Sequence, residues 1–322
     1  MKKNKILSAL LSLTITVSAI NVFPANAVEI VDSGQCGDSA YWTLDSEGNF
    51  TVTGTGTMWE WQCSYMAVGV SEIVIHWIEG KECPWYGIRD RIKTLTISEG
   101  ITYLGGLAFI NCDNLTTVSL PDSLLNCGIG STFCHCDNLT GIVLPDSLEI
   151  INDCFSYCPK ITSIDIPETV THIADSAFDM CAGLKTVIVR TKECYLPPSD
   201  SVISNGCNEI TRNRFYNGII YCWEDSDMAD YCVAAGLDYV PFSHGDVNID
   251  GSIDSIDASL VLTEYARVST GEVSGFDSVE TFCADVDSDE NVNASDASSV
   301  LSYYAYAATG GTDSLEDFLK RG

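Results

Sequence analysis

One short unit, roughly two dozen residues long and so within the period range of stacked-repeat architectures, recurs through the middle of this chain. "LTTVSLPDSL" begins at Leu115, "LTGIVLPDSL" at Leu139 and "ITSIDIPETV" at Ile161, and "LKTVIV" follows from Leu184. "IKTLTISEGI" from Ile92 is an earlier copy, with Ser98 where later copies have proline. The units end alike, in "LAFINC", "STFCHC", "DCFSYC" and "SAFDMC". Phe109, Phe133, Phe155 and Phe178 therefore fall in one column, and Cys112, Cys136, Cys158 and Cys181 in another. A unit this short cannot bury its own apolar face, whereas stacked copies bury a continuous one, so the period calls for an array of coils. Alternation at Val118/Leu120, Ile142/Leu144 and Ile164/Ile166 predicts one short strand per coil, ended by Pro121, Pro145 and Pro167.

These columns resemble the cysteine-bearing leucine-rich repeat of the BspA type, over residues 85–190. "CGDSAYWTLDSEGNFTVTGTGTM" from Cys36 resembles that family's N-terminal β-cap, placed at 28–84, and "GIIYCWEDSDMADYCVAAGLDYVPF" from Gly218 resembles its closing strand and helix, within a C-terminal cap and connector at 191–243. The resemblance implies a capped β-solenoid over residues 30–242, with the four phenylalanine rings stacked in one buried column. Caps are what an open stack requires, because a bare last rung exposes apolar surface and strand edge.

The chain has 15 cysteines. Those in the column suit buried free thiols, small hydrophobes facing the core, although a rung spacing of about 4.8 Å does not forbid disulfides. Outside the column, Cys36, Cys63, Cys83, Cys194, Cys207, Cys222 and Cys232 are the disulfide candidates, with a pairing that spacing does not determine.

Near the C-terminus, "GDVNIDGSIDSIDASLVL" places Asp246, Asn248 and Asp250 at positions 1, 3 and 5 of a twelve-residue loop, Gly251 at 6, Ser252 at 7, Asp254 at 9 and Asp257 at 12. Oxygen ligands at that spacing suit calcium, a hard cation that takes six to eight of them. The pattern returns further on as Asp285, Asp287, Asp289, Asn291, Asn293 and Asp296, and "DASLVLTEYA" from Asp257 matches "DASSVLSYYA" from Asp296. Two Ca2+ sites are expected, the second weakened by Glu290 at position 6, where a residue with a Cβ at positive φ costs roughly 1 kcal/mol or more. Position 12 is Asp in both loops, and "GLDYVPFSHG", with Pro241 and Gly245, supplies no helix entering the first loop.

Tandem loop-and-exiting-helix half-motifs of this kind resemble the type I dockerin of cellulosomes, over residues 244–319. That resemblance implies a small all-α domain of tandem F-hands at 244–322 and calcium-dependent binding to the cohesin of a scaffoldin. Recognition is implied at loop positions 10 and 11 and the following helix face: Ser255, Ile256, Leu262 and Thr263 in one repeat, Ala294, Ser295, Leu301 and Ser302 in the other. The fold class expected for the whole chain is thus α+β.

The remaining features bound the function. Lys2, Lys3 and Lys5, an apolar run from Ile6 to Phe23 and the triplet Ala25-Asn26-Ala27 read as a signal peptide over residues 1–27, the alternative being a retained N-terminal anchor, since the run approaches spanning length. The expected location is extracellular, at the cell surface or in a cellulosome, with no membrane insertion after cleavage. With 45 acidic and 16 basic residues, a formal charge of −29 disfavours nucleic acid and anionic membrane as partners. Of the histidines, His76, His135, His172 and His244, none stands in a metal or catalytic motif, and a zinc site at Cys134, His135 and Cys136 lacks a second ligand pair. No H-E-x-x-H, G-x-S-x-G or phosphate loop occurs. Trp59, Trp61, Trp77 and Trp85 form either the core of the N-terminal cap or a sugar-stacking platform. No catalytic residue stands out. The expectation is a secreted, non-catalytic cellulosome-associated protein whose solenoid is a binding or adhesion module in polysaccharide degradation; the alternative is a cryptic O-glycosyl hydrolase or other hydrolase docked to the cellulosome.

Overall fold

The computed structural model describes residues 28–68, 73–80, 82–128, 130–208 and 211–321, and the expected leader lies outside them. Strands and a few helices combine into an α+β fold. Strands Ile30–Gln35, Ala40–Asp45 and Asn49–Gly54 pair antiparallel, and the last continues into a parallel ladder with Thr94–Ile97 and Thr117–Ser119. Val118 bridges to Ile142. Further along, Ser163–Ile166, Thr186–Val189, Ile219–Cys222 and Tyr239–Pro241 form a four-stranded parallel sheet in the register Ile164↔Val187↔Ile220↔Tyr239. One helix, α1 (Asp227–Ala235), is capped by Ser226 at its start and left-handed Gly236 at its end.

The repeat columns are the core. Phe109, Phe133, Phe155 and Phe178 are fully buried, with successive ring centroids 5.5, 5.6 and 5.7 Å apart and planes within 10° of parallel. Cysteine in the neighbouring column does more than fill space: Sγ of Cys136, Cys158 and Cys181 donates to the carbonyl of Phe109, Phe133 and Phe155 on the preceding rung, at 3.3, 3.1 and 3.1 Å. Between each Phe and Cys the chain turns through a left-handed residue, Asn111, His135, Tyr157 or Met180, with φ of 56–57°. This costs about 1 kcal/mol per rung, offset by backbone bonds to the next rung such as His135 N to Ser156 O (3.1 Å) and Tyr157 N to Asp179 O (2.7 Å). The turn also stacks His135 on Tyr157, centroids 4.5 Å apart. His135 is thus a rung residue.

Two expectations meet different outcomes. The tryptophans belong to the core of the N-terminal part: Trp85 and Trp61 are buried, Trp77 packs against the same core, and Trp59 alone of the four is exposed, its indole N–H on Asp38. The disulfide candidates need correcting. Cys36, Cys83, Cys194, Cys222 and Cys232 are buried free thiols, Cys207 is a half-buried one, and the side chain of Cys63 lies outside the described set. They serve as apolar filling, and burial pushes the thiol of Cys222 up to about 11 and those of Cys36, Cys194 and Cys232 up to about 12.

Truncating the column should cost what a close-packed core demands. Phe155→Ala is expected to lower unfolding free energy by about 3–5 kcal/mol and Cys158→Ala by about 1–3 kcal/mol, the latter through a lost bond and a small cavity. Val143→Thr, at an 84 % exposed position, should stay within about 0.5 kcal/mol. Denaturant melts of the three variants check the order.

Candidate functional site

The site is built from four helices after Gly245: α2 (Ser255–Ser269), α3 (Ser278–Ala284), α4 (Ala294–Ala308) and α5 (Leu315–Leu319). The two acidic loops lead into α2 and α4, and each supplies the cap of its helix. Asp254 and Asn293 are the N-caps, and each forms a capping box with the aspartate three residues on. Those aspartates, at loop position 12, stitch the loop shut. Asp257 accepts from Val247 N and Asp254 N, both 2.9 Å; Asp296 accepts from Val286 N at 3.0 Å and Asn293 N at 2.8 Å. Asp at position 12 is therefore matched to a capping and loop-closing role in both loops.

Position 1 folds the loop in the same way twice. Asp246 accepts from Asp250 N and Gly251 N at 3.1 and 2.9 Å, and Asp285 from Asp289 N and Glu290 N at 3.1 and 2.9 Å. Positions 4 and 6 are left-handed in both loops: Ile249 and Ser288 have φ of 56°, Gly251 has 85° and Glu290 has 66°. Glu290 thus takes the strained conformation expected of it.

The donor set fits a hard cation. Carboxylate oxygens of Asp285, Asp287 and Asp289 lie within 4.8 Å of one another. Burial, with Asp257 and Asp250 nearby, holds the carboxyl of Asp246 above its ordinary range, and burial with Asp287 and Asp285 nearby does the same to Asp296. A cation reverses both effects. Asp246, Asn248, Asp250, Ser252, Asp254 and Asp257 would hold one Ca2+, and Asp285, Asp287, Asp289, Asn291, Asn293 and Asp296 the other.

The helices meet through two small cores related by the duplication. Val247, Val261 and Ala297 share one, while Val286, Val300 and Ala258 share the other. Val261 and Val300 point inward, which leaves their neighbours outside: Leu262 and Leu301 are 43 % and 42 % exposed. Ser255, Ile256, Thr263, Ala294, Ser295 and Ser302 are exposed as well. One pair escaped the sequence reading. Tyr265 and Tyr304, one turn beyond the leucines, are also exposed, and their shared register in "LTEY" and "LSYY" was the available signal. Also unforeseen was α3, a helix entering the second loop with a capping box from Asp277 and Glu280.

Family comparison assigns the two parts. Six copies of the BspA type leucine rich repeat region match residues 86–198, and the dockerin type I domain matches residues 244–304. Among solved structures, a T. pallidum leucine rich repeat protein is 24 % identical over 46 % of this chain and 67 % of its own, with a TM-score of 0.32. A leucine-rich repeat protein from Eubacterium ventriosum is 18 % identical over 61 % and 67 %, TM-score 0.36. A leucine rich cell surface protein from Faecalibacterium prausnitzii is 20 % identical over 48 % and 44 %, TM-score 0.30. No curated protein matches the chain. Neither matched family is catalytic, and among the described residues no helix is long and apolar enough to cross a membrane.

Position 6 separates the two loops experimentally. A Cβ on Gly251 meets nothing within 4 Å, so Gly251→Ala adds backbone strain alone, about 1 kcal/mol or roughly fivefold in calcium affinity. Calorimetric titration of the full chain should show one of two sites weakened to that extent, whereas Glu290→Gly should not weaken the first loop.

Proposed function

From a chain that carries a BspA-type leucine-rich repeat region and a C-terminal type I dockerin domain, we propose a secreted, non-catalytic component of a cellulosome-type assembly. The dockerin binds a scaffoldin cohesin, and the repeats form a binding module. In the finer reading, residues 28–84 and 191–243 cap a solenoid of repeats at 85–190, and 244–322 form a tandem F-hand domain that loads two calcium ions. Calcium is a structural staple here: charge-neutralised loops fix α2 and α4, whose outer faces then meet a preformed partner without an ordering cost at binding.

The observation that carries this reading is the duplicated exposed pair, Leu262 with Tyr265 and Leu301 with Tyr304, each on the helix that leaves an acidic loop. Tyrosine is an enriched interface anchor, and with an uncovered leucine beside it at the same register on two helices it forms an exposed apolar patch of the kind that marks an interaction site. The two faces are not equal. Ile256, at position 11 of the first loop, is 54 % exposed, whereas Ser295 stands at the corresponding place in the second. The first face therefore has more apolar area and dominates binding.

For the repeats, the strand face of the first rungs supports a macromolecular ligand. Thr43, Thr51, Thr96 and Ser119 align in register across four adjacent strands, an extended hydroxyl-lined surface that suits the polysaccharide-directed adhesion role. A repeat array offers such surfaces along its length.

A cohesin panel tests the docking. Asp246→Ala combined with Asp257→Ala is expected to abolish binding. Leu262→Asp should weaken it at least tenfold, about 1.4 kcal/mol or more, while Leu301→Asp stays within about threefold. Binding retained in the calcium-site variant, or no cohesin bound by the wild type, would refute the reading. Polysaccharide turnover by the full chain that is lost on substitution of a single carboxylate would refute the non-catalytic assignment.

A further inference from the structure

The dockerin is joined to the repeats without slack. The last strand ends at Pro241, paired with Cys222, and Gly245 opens the first acidic loop. Of the three residues between them, Phe242 is 3 % exposed and its N–H bonds to Cys222 O at 3.1 Å. A flexible tether would be longer, polar and solvated.

Contact continues beyond the joint. Val187 and Val189 point into the core of the repeats, and Ile188 between them points outward, yet it is 4 % exposed. What covers it is a cluster drawn from both parts: Trp223 and Phe242 from the repeat side, and Val279, Phe282 and Cys283 from α3. Phe282 is the centre, with ring centroids of His244, Phe242 and Trp223 at 4.6, 5.1 and 5.8 Å. Above the same ring lies the guanidinium of Arg190, 5.0 Å from its centroid, held in orientation by two bonds to Asp165 at 2.8 and 2.6 Å. Lys192 adds an ion pair to Glu316 at 3.2 Å while lying 4.1 Å over Trp223. Beside this anchor the seam opens into a cavity of about 750 Å³ lined by Glu168, Arg190, Lys192, Asp287, Glu316 and Lys320 among others. An apolar centre with a charged rim is the anatomy of a specific interface.

We infer that the outer strand face of the last rungs, centred on Ile188 and Arg190, is a seat for the dockerin's own α3, so that repeats and dockerin move as one rigid body. Two consequences follow. The C-terminal end of the strand face is closed to outside ligands, which leaves the hydroxyl-lined first rungs. Leu262, Tyr265, Leu301 and Tyr304 stay uncovered, so a bound partner is held in a set direction relative to the repeats. That second consequence rests on the docking reading above; the seat itself does not.

The test uses small-angle X-ray scattering of the full chain in calcium. A flexible Gly/Ser insert of about eight residues between Ser243 and His244 removes the covalent restraint and leaves the seat intact. The insert alone should leave the maximum dimension within a few ångströms of wild type, whereas the insert combined with Ile188→Asp should increase it by about 15 Å, the span of such a linker. Arg190→Ala with Phe282→Ala in the insert background is the second route to release. Expansion with the insert alone, or a compact particle in both released variants, would overturn the seat. Cohesin binding, measured on the same samples, should persist in all of them, which separates failure of the seat from failure of the docking assignment.

Discussion

The stacked phenylalanine column is the constraint from which the rest follows. Rings 5.5–5.7 Å apart and nearly parallel require every coil to present the same residue at the same height, so the strands run parallel and in register. The thiol column reinforces that spacing, because a sulfur that donates to the carbonyl one rung back fixes the separation as well as filling volume. A left-handed turn between the two columns is then unavoidable, and it is met by residues as different as Asn111, His135, Tyr157 and Met180. Packing between rungs outweighs the local preference of any one of them.

Period and column were legible in the sequence because stacking forces identity between copies, as were the duplicated loops, whose acidic and amide residues recur at the same spacing in both copies. Features built from single, unrepeated contacts were not. Cys36, Cys83, Cys194, Cys222 and Cys232 gave no sign of being apolar filling, since their neighbours in space come from distant parts of the chain. Helix α3 is seven residues long and lies directly before an acidic loop, too short for a periodic signal. Whether Leu262 and Leu301 faced in or out was undecidable from a pattern in which Val261 and Val300 stand beside them; the structure puts the valines inside.

The few cations of this acidic chain are used locally. Arg214 grips the buried Asp179 through two bonds at 2.7 and 2.9 Å, Arg190 is held by Asp165, and Lys192 crosses to Glu316. Two of these three lie at the junction between repeats and dockerin. The acidic loops have no such partners within them, and the buried carboxyls of Asp246 and Asp296 are held above their ordinary range. Protein cations thus hold the junction, and the two loops contain none. Under the proposed function, this division makes the C-terminal part, and not the repeats, the calcium-dependent element.

Hydrogen exchange of the full chain, with and without a calcium chelator, tests that division most directly. The account predicts that chelation strips protection from residues 246–257, 285–296 and the helices α2 and α4 that they cap, while amides of the Phe109–Phe178 ladder exchange as slowly as before. Equal loss of protection in the ladder, or unchanged protection in both loops and helices, would contradict it.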